Sequence, residues 1–175
     1  MTSSASPDQA PAAADAPRQV LTFSLGAENF GVDILRVREI RGWTAVTRIP
    51  QVPPHVLGVL NLRGSIVPIV DLRVRFSLPD AQFTPLTVII VLSVNSPQGQ
   101  REFGLVVDGV SDVVDISAGN LKETPSLGSS STAEFIQGLA IVQERLLILL
   151  DVDKLIHRDM EQMAVSEPAA VEAAA

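Results

Sequence analysis

Gly58-Val59-Leu60-Asn61-Leu62-Arg63-Gly64-Ser65-Ile66-Val67-Pro68-Ile69-Val70-Asp71-Leu72 is the stretch whose reading decides the fold. Two apolar runs rich in β-branched residues flank the break Asn61-Leu62-Arg63-Gly64. Such residues suit a pleated, half-buried surface, so the runs read as a pair of strands. Asn and Gly supply the unusual backbone angles of a tight connection. Arg63 is therefore presented at a strand junction with apolar neighbours on both sides. A guanidinium held beside an apolar surface suits the docking of a partner protein. On this stretch alone the plainer reading is an ordinary solvated turn arginine, because Arg is mostly exposed.

Working outward, the stretch recurs. Laid over Gly138–Val152 at an offset of 80, Gly58 meets Gly138, the surroundings of Arg63 meet Gln143-Glu144-Arg145, and Asp71 meets Asp151. The run 66–70 falls on the wholly apolar run 146–150. Earlier in the chain, Phe30-Gly31-Val32 matches Phe103-Gly104-Leu105 at an offset of 73. The difference in offset is absorbed between Gly104 and Gly138, where a Ser-rich segment lies. Two copies of one five-strand unit account for this order, and strands so short and so regularly spaced favour small barrels. Barrels of that size close no ligand cavity of their own, which leaves the groove where the two meet as the expected pocket.

The remaining elements follow the same logic. Residues 1–17, rich in Ala and Pro, read as a disordered tail. Val20–Leu25 and Phe30–Ile34 make a hairpin across Gly26-Ala27-Glu28-Asn29, and Val37–Ile40 is a short strand closed by Gly42. Three prolines make 49–54 a bridging loop, because proline donates no backbone hydrogen bond. Asp71–Phe76 reads as a short helical turn, and Pro79–Pro85 as a connector. The almost continuously apolar Thr87–Leu92 reads as a strand buried on both faces. Asn95–Gln100 is a turn, and strands 102–107 and 110–116 are split by Asp108-Gly109. A long loop over 117–133 precedes the last strands, 135–142 and 145–150. Apolar residues at 152, 155, 156, 160 and 163 have helical spacing.

The fold class expected is therefore mainly β. It consists of two packed five-stranded barrels, a short C-terminal helix, a disordered tail at 1–17, and the helix end with a disordered tail at 159–175. The barrel units are assigned to 18–78 plus 145–158, and to 79–144.

Composition narrows the function. The 175 residues are 46% hydrophobic, enough for a packed interior, and contain no cysteine, which excludes disulfides and thiolate chemistry. No apolar run is long enough to cross a bilayer, and the N-terminus lacks the pattern of a signal peptide. A soluble, cytoplasmic protein is expected. The net charge of −7 is uneven: residues 34–76 carry +5 and residues 77–157 carry −6. Such polarity steers association with complementary surfaces. Nucleic-acid binding is disfavoured, since the basic residues lack interleaved aromatics.

Chemistry is largely missing. His55 and His157 are the two histidines; neither has metal spacing, and a lone loop histidine is more often a surface residue. There is no phosphate-cradling glycine loop, and the serines at 126–131 are unsuited to a preorganised nucleophile. Asp108, Asp112 and Asp115 lack the other oxygen ligands of a calcium loop and read as solvated strand faces. No enzyme site, metal or cofactor is expected. What remains is binding: Val37, Ile40, Leu60 and Leu62 lie near Glu39, Arg41 and Arg63, a charged rim around apolar residues. The competing reading places those apolar residues in the barrel cores.

Several blocks resemble the CheW family of bacterial chemotaxis coupling proteins. They are Phe30-Gly31-Val32-Asp33-Ile34, Val37-Arg38-Glu39-Ile40-Arg41-Gly42, Thr47-Arg48-Ile49-Pro50, the 58–73 stretch, and 104–113. The resemblance spans about residues 20–157. It implies SH3-like five-stranded barrels and a scaffold joining the cytoplasmic tips of methyl-accepting chemoreceptors to the regulatory domain of the histidine kinase CheA. Carried over by motif position, the receptor-facing residues are Val37, Glu39, Gly58, Arg63, Val88, Gly104 and Val113. Arg63 is then the polar anchor, Val37 and Val88 are apolar contacts, and Gly58 and Gly104 allow close backbone approach. Kinase contacts fall at the barrel ends without residue assignment. The tails, the turn at 95–99 and the Ser-rich loop depart from the family pattern. Rival readings are a coupling protein of a chemosensory pathway other than motility, or a small-ligand barrel. A CheV-like adaptor is disfavoured because no receiver domain follows residue 157. Deletion of residues 1–17 is expected to leave the melting temperature unchanged; a marked drop in thermal unfolding refutes the tail assignment.

Overall fold

A computed structural model describes residues 18–79, 81–96, 99–123 and 133–159. The expected N-terminal tail, the Ser-rich run at 126–131, the tip of the turn after Ser96 and the chain beyond Asp159 lie outside these residues. The strands are β1 (Arg18–Leu25), β2 (Glu28–Asp33), β3 (Val37–Gly42), β4 (Val56–Leu62), β5 (Ser65–Asp71), β6 (Val88–Ser96), β7 (Gly99–Val107), β8 (Gly109–Ile116), β9 (Leu121–Lys122), β10 (Ile136–Val142) and β11 (Arg145–Leu150). Two short helices follow β5 and β11: α1 (Leu72–Arg75) and α2 (152–159).

The strands form two sheets of matching order, β8-β1-β2-β11-β10-β9 and β3-β6-β7-β5-β4. Each corresponds to an SH3-like barrel. The duplication is visible in its details. Both β4 and β10 bulge at the same place, between Val56 and Gly58 and between Ile136 and Gly138. The following turns, Arg63-Gly64 and Gln143-Glu144, hold both residues at positive φ. The aspartate ending each copy anchors a helix. Asp71 donates its N–H to the His55 carbonyl and accepts the Arg73 N–H, while Asp151 donates to the Phe135 carbonyl and accepts the Lys154 N–H.

The copies are not consecutive barrels. The first hairpin of each has crossed over: β2 runs parallel to β11, and β7 runs parallel to β5. Residues 18–33 and 109–150 thus supply one sheet and residues 37–107 the other, which differs from the expected division at 78 and 145. Sequential pairing fails because each leading hairpin finds its parallel neighbour in the other copy. Both barrels close through the segment after their edge strand. Thr47 exchanges hydrogen bonds with Val59 of β4, and β9 pairs with β10. The residues leading into the bridging loop and the long loop therefore each contribute pairing that two or three residues cannot announce in sequence. The expected turn at 95–100 is likewise shorter, because Asn95 pairs with Gln100 and Ser96 with Gly99.

Strand alternation sorts the core into three parts. Ile89, Val91, Val67 and Ile69 fill one barrel, and Val20, Ala140, Leu147 and Leu149 fill the other. The opposite faces of the same strands meet between the barrels, where Phe23, Phe30, Ile90, Leu92, Phe103 and Leu105 join Leu155 and Ile156 of α2. This shared core is the largest of the three. This core fills the junction at which a groove is expected. Gly104 lies inside its barrel between β5 and β6: a Cβ there would meet Ile69 Cδ1 at 2.5 Å and Ile89 Cγ2 at 2.8 Å. Gly104→Ala is expected to lower stability by roughly 1–3 kcal/mol through overpacking, as read from urea unfolding midpoints at unchanged slope.

Candidate functional site

The site begins with a bulge in β3. Val37 pairs with Leu92, yet Glu39 pairs with Val91, so the two side chains point to opposite faces of the strand. Val37 packs on the shared core between the barrels, whereas Glu39 turns to the rim of its own barrel. There Arg63 Nη2 lies 3.1 Å from Glu39 Oε1, and Arg41 Nη1 lies 3.6 Å from Glu39 Oε2. The two ends of the curled sheet, β3 and the β4–β5 turn, are thus joined by charge. The expected four-residue break is a two-residue turn: Arg63 itself takes φ 54°, Gly64 takes 89°, and Asn61 Oδ1 accepts the Gly64 N–H at 3.0 Å. The Arg63 side chain remains 72% exposed. Its fixed backbone and its acidic neighbour aim a largely solvated guanidinium outward.

Val88 pairs with Gly42 and packs against the same shared core as Val37, from the other end of the β3–β6 ladder. Ile40 lies on the same face, opposite Ile90, and is 44% exposed. Val113 occupies the corresponding place on β8, opposite Leu21, and is 47% exposed. The three valines therefore mark the solvent margin of the inter-barrel core, and Glu39 with Arg63 mark the rim of one barrel. Both glycines have reasons within the chain. Gly104 makes room for Ile69 and Ile89, and Gly58, at φ 150°, lets the Thr47 carbonyl approach β4.

Sequence reasoning missed the buried charges. Arg73 is 1% exposed and sits on Asp71 (Nε to Oδ1, 2.9 Å) and Asp108 (Nη1 to Oδ1, 3.0 Å), with a further bond to the Gln82 carbonyl. Burial works against its cation, but the bonds and charges of Asp71 and Asp108 outweigh that and raise its pKa above the ordinary arginine value. Asp108 also accepts the Gly26 N–H at 2.7 Å, and Asp112 accepts the Thr22 hydroxyl at 2.9 Å, so neither is a merely solvated strand face. His55 is not a surface histidine either. Its Nε2 faces Asp159 Oδ1 at 3.0 Å, and Arg75 Nε approaches the same oxygen at 3.2 Å. Only the fold brings residues 71, 73 and 108, or 55, 75 and 159, together. Among the described residues no cluster of acidic or histidine side chains has the arrangement of a metal site, and no helix is long and apolar enough to cross a membrane.

Two barrels of duplicated sequence, interlocked through a common core and carrying a charged rim beside an apolar margin, define a double SH3-like scaffold. A family model described as CheW-like domain matches residues 19–160. A chemotaxis protein CheW of Klebsiella aerogenes is 45% identical over 148 residues, covering 85% of this chain and 86% of that protein. One of Rhizobium meliloti is 38% identical, covering 84% and 92%. The crystal structure of the scaffolding protein CheW of Thermoanaerobacter tengcongensis matches with a TM-score of 0.70 at 29% identity, over 77% of this chain and 89% of that one. The chain belongs to the CheW family of chemotaxis scaffold proteins. Because removal of Arg73 would strand Asp71 in the core, Arg73→Leu is expected to cost about 3–5 kcal/mol, measured by denaturant unfolding. The double variant Asp71→Ala/Arg73→Leu should recover part of that loss.

Proposed function

We propose that this protein is a non-enzymatic coupling scaffold that holds the cytoplasmic tips of chemoreceptors and the regulatory domain of the histidine kinase CheA in one signalling array. Membership of the CheW family supports the chemotaxis role. The receptor-facing surface is proposed to comprise Val37, Glu39, Gly58, Arg63, Val88, Gly104 and Val113. The observation that carries this reading is the Glu39–Arg63 pair, 3.1 Å apart on a barrel rim. It presents an ordered but solvated guanidinium near apolar residues that the fold leaves half-covered. Gly58 and Gly104 serve the face indirectly, by setting the path of the strands beneath it. The mechanism is linkage: binding both partners places receptor conformation and kinase activity in one equilibrium. Several weak contacts to each partner extend that coupling across an array. The expected location is the cytoplasm, at the membrane only through the receptors.

Co-sedimentation with a receptor cytoplasmic fragment and pull-down with purified CheA test the assignment. Arg63→Glu should weaken receptor binding by roughly tenfold or more while leaving the melting temperature and CheA binding intact. Adding Glu39→Arg rebuilds an inverted ion pair without restoring receptor binding. Undiminished receptor binding by folded Arg63→Glu removes Arg63 as the anchor.

A further inference from the structure

An open groove lies away from the Glu39–Arg63 rim, between the loop joining β3 to β4 and the connector before β6. It measures about 380 Å³ and is lined by apolar side chains that include Trp43, Val46, Ile49, Val52, Leu57 and Phe83. Its wall is built rather than accidental. Trp43 and Phe83 stack with ring centroids 4.2 Å apart, and the buried Arg73 guanidinium backs Phe83 at 4.9 Å. Phe83 is nonetheless 48% exposed, and Ile49 is also exposed, so the groove shows large apolar surface to water. Arg48 is the charged residue lining it, and no ion pair engages Arg48 among the described residues.

We propose that this groove is the docking site of the chain's own C-terminal segment, Met160-Glu161-Gln162-Met163-Ala164-Val165-Ser166-Glu167. Three observations select this occupant. The first is position: the described chain ends at Asp159, whose carboxylate is held by His55. His55 stands between Pro54 and Val56, both of which line the groove. Six residues reach ~20 Å when extended, so distance sets no obstacle. The second is pattern. Met160, Met163 and Val165 give the segment recurring apolar side chains among its polar ones. Unbranched methionine side chains fill irregular apolar grooves well. The third is charge: Glu161 and Glu167 are acidic, and the groove offers the unengaged Arg48. Docking covers the exposed aromatic pair and lays the acidic C-terminus over the basic part of the chain.

Trp43 is the sole tryptophan of the chain, so its fluorescence reads the groove directly. The experiment compares the full chain with a chain ending at Asp159, and with full-length Met160→Ser/Met163→Ser in case truncation unfolds the protein. Loss or substitution of the segment should shift the emission to the red and increase quenching by acrylamide. A synthetic peptide of residues 160–175 should reverse both changes in the truncated chain, saturably. Arg48→Glu should weaken that reversal, and a peptide carrying Glu161→Arg and Glu167→Arg should recover it. Identical emission and quenching in all three proteins overturn the proposal. So does a truncated chain whose emission responds to its own concentration, or to purified CheA or receptor fragment, but not to the peptide; the groove then belongs to a second copy or to that partner.

Discussion

Two parallel strand contacts, β2 against β11 and β5 against β7, are what the whole molecule depends on. Each joins a hairpin from one copy of the repeat to a hairpin from the other. Once they form, the two copies cannot separate without breaking sheet hydrogen bonds, and the barrels they build jointly share a core. Gly31 and Gly104 sit in these two contacts, and at both a Cβ would collide with side chains inside the barrels. The repeat of Phe-Gly in β2 and β7 is thus a packing requirement of the interlock.

The buried Arg73 belongs to the same logic. It fastens α1 to the β7–β8 turn through Asp108 and to the connector through the Gln82 carbonyl and the Phe83 ring. Asp108 in turn holds Gly26 in the β1–β2 turn. One guanidinium therefore ties together segments of both sheets and, through Phe83 and Trp43, sets the wall of the groove beside β4. The rim pair Glu39–Arg63 is the solvated counterpart: it joins the ends of one sheet and leaves its cation facing water. The same residue type acts as a structural tie when desolvated and as a recognition element when not.

Most of the strand order was legible in the sequence because alternation, β-branching and the offsets of 73 and 80 are local signals. Glu39 and the three valines could be placed on strands, and Arg63 at the junction of two strands, for the same reason. Three things were hidden. The exchange of hairpins depends on which parallel neighbour wins, and no local pattern encodes that, so the division into barrels was misplaced. The bulge between Val37 and Glu39 reverses side-chain facing within two residues, and nothing in Val37-Arg38-Glu39 announces it. Asp108, a partner of Arg73, and Asp159, the partner of His55, lie far along the chain, so the burial of Arg73 left no local sign and His55 read as a surface residue.

The exchange of hairpins also orders events in time. The β1–β2 hairpin emerges from the ribosome first, but its parallel neighbour β11 is made more than a hundred residues later. Until then it exposes the apolar side chains of Leu21, Phe23 and Phe30 and an unpaired edge, the condition that favours aggregation and capture by chaperones. The middle barrel, made entirely from residues 37–107, has no such wait. Synthesis thus completes the barrel of residues 37–107 first and closes the other against it only when the last strand arrives.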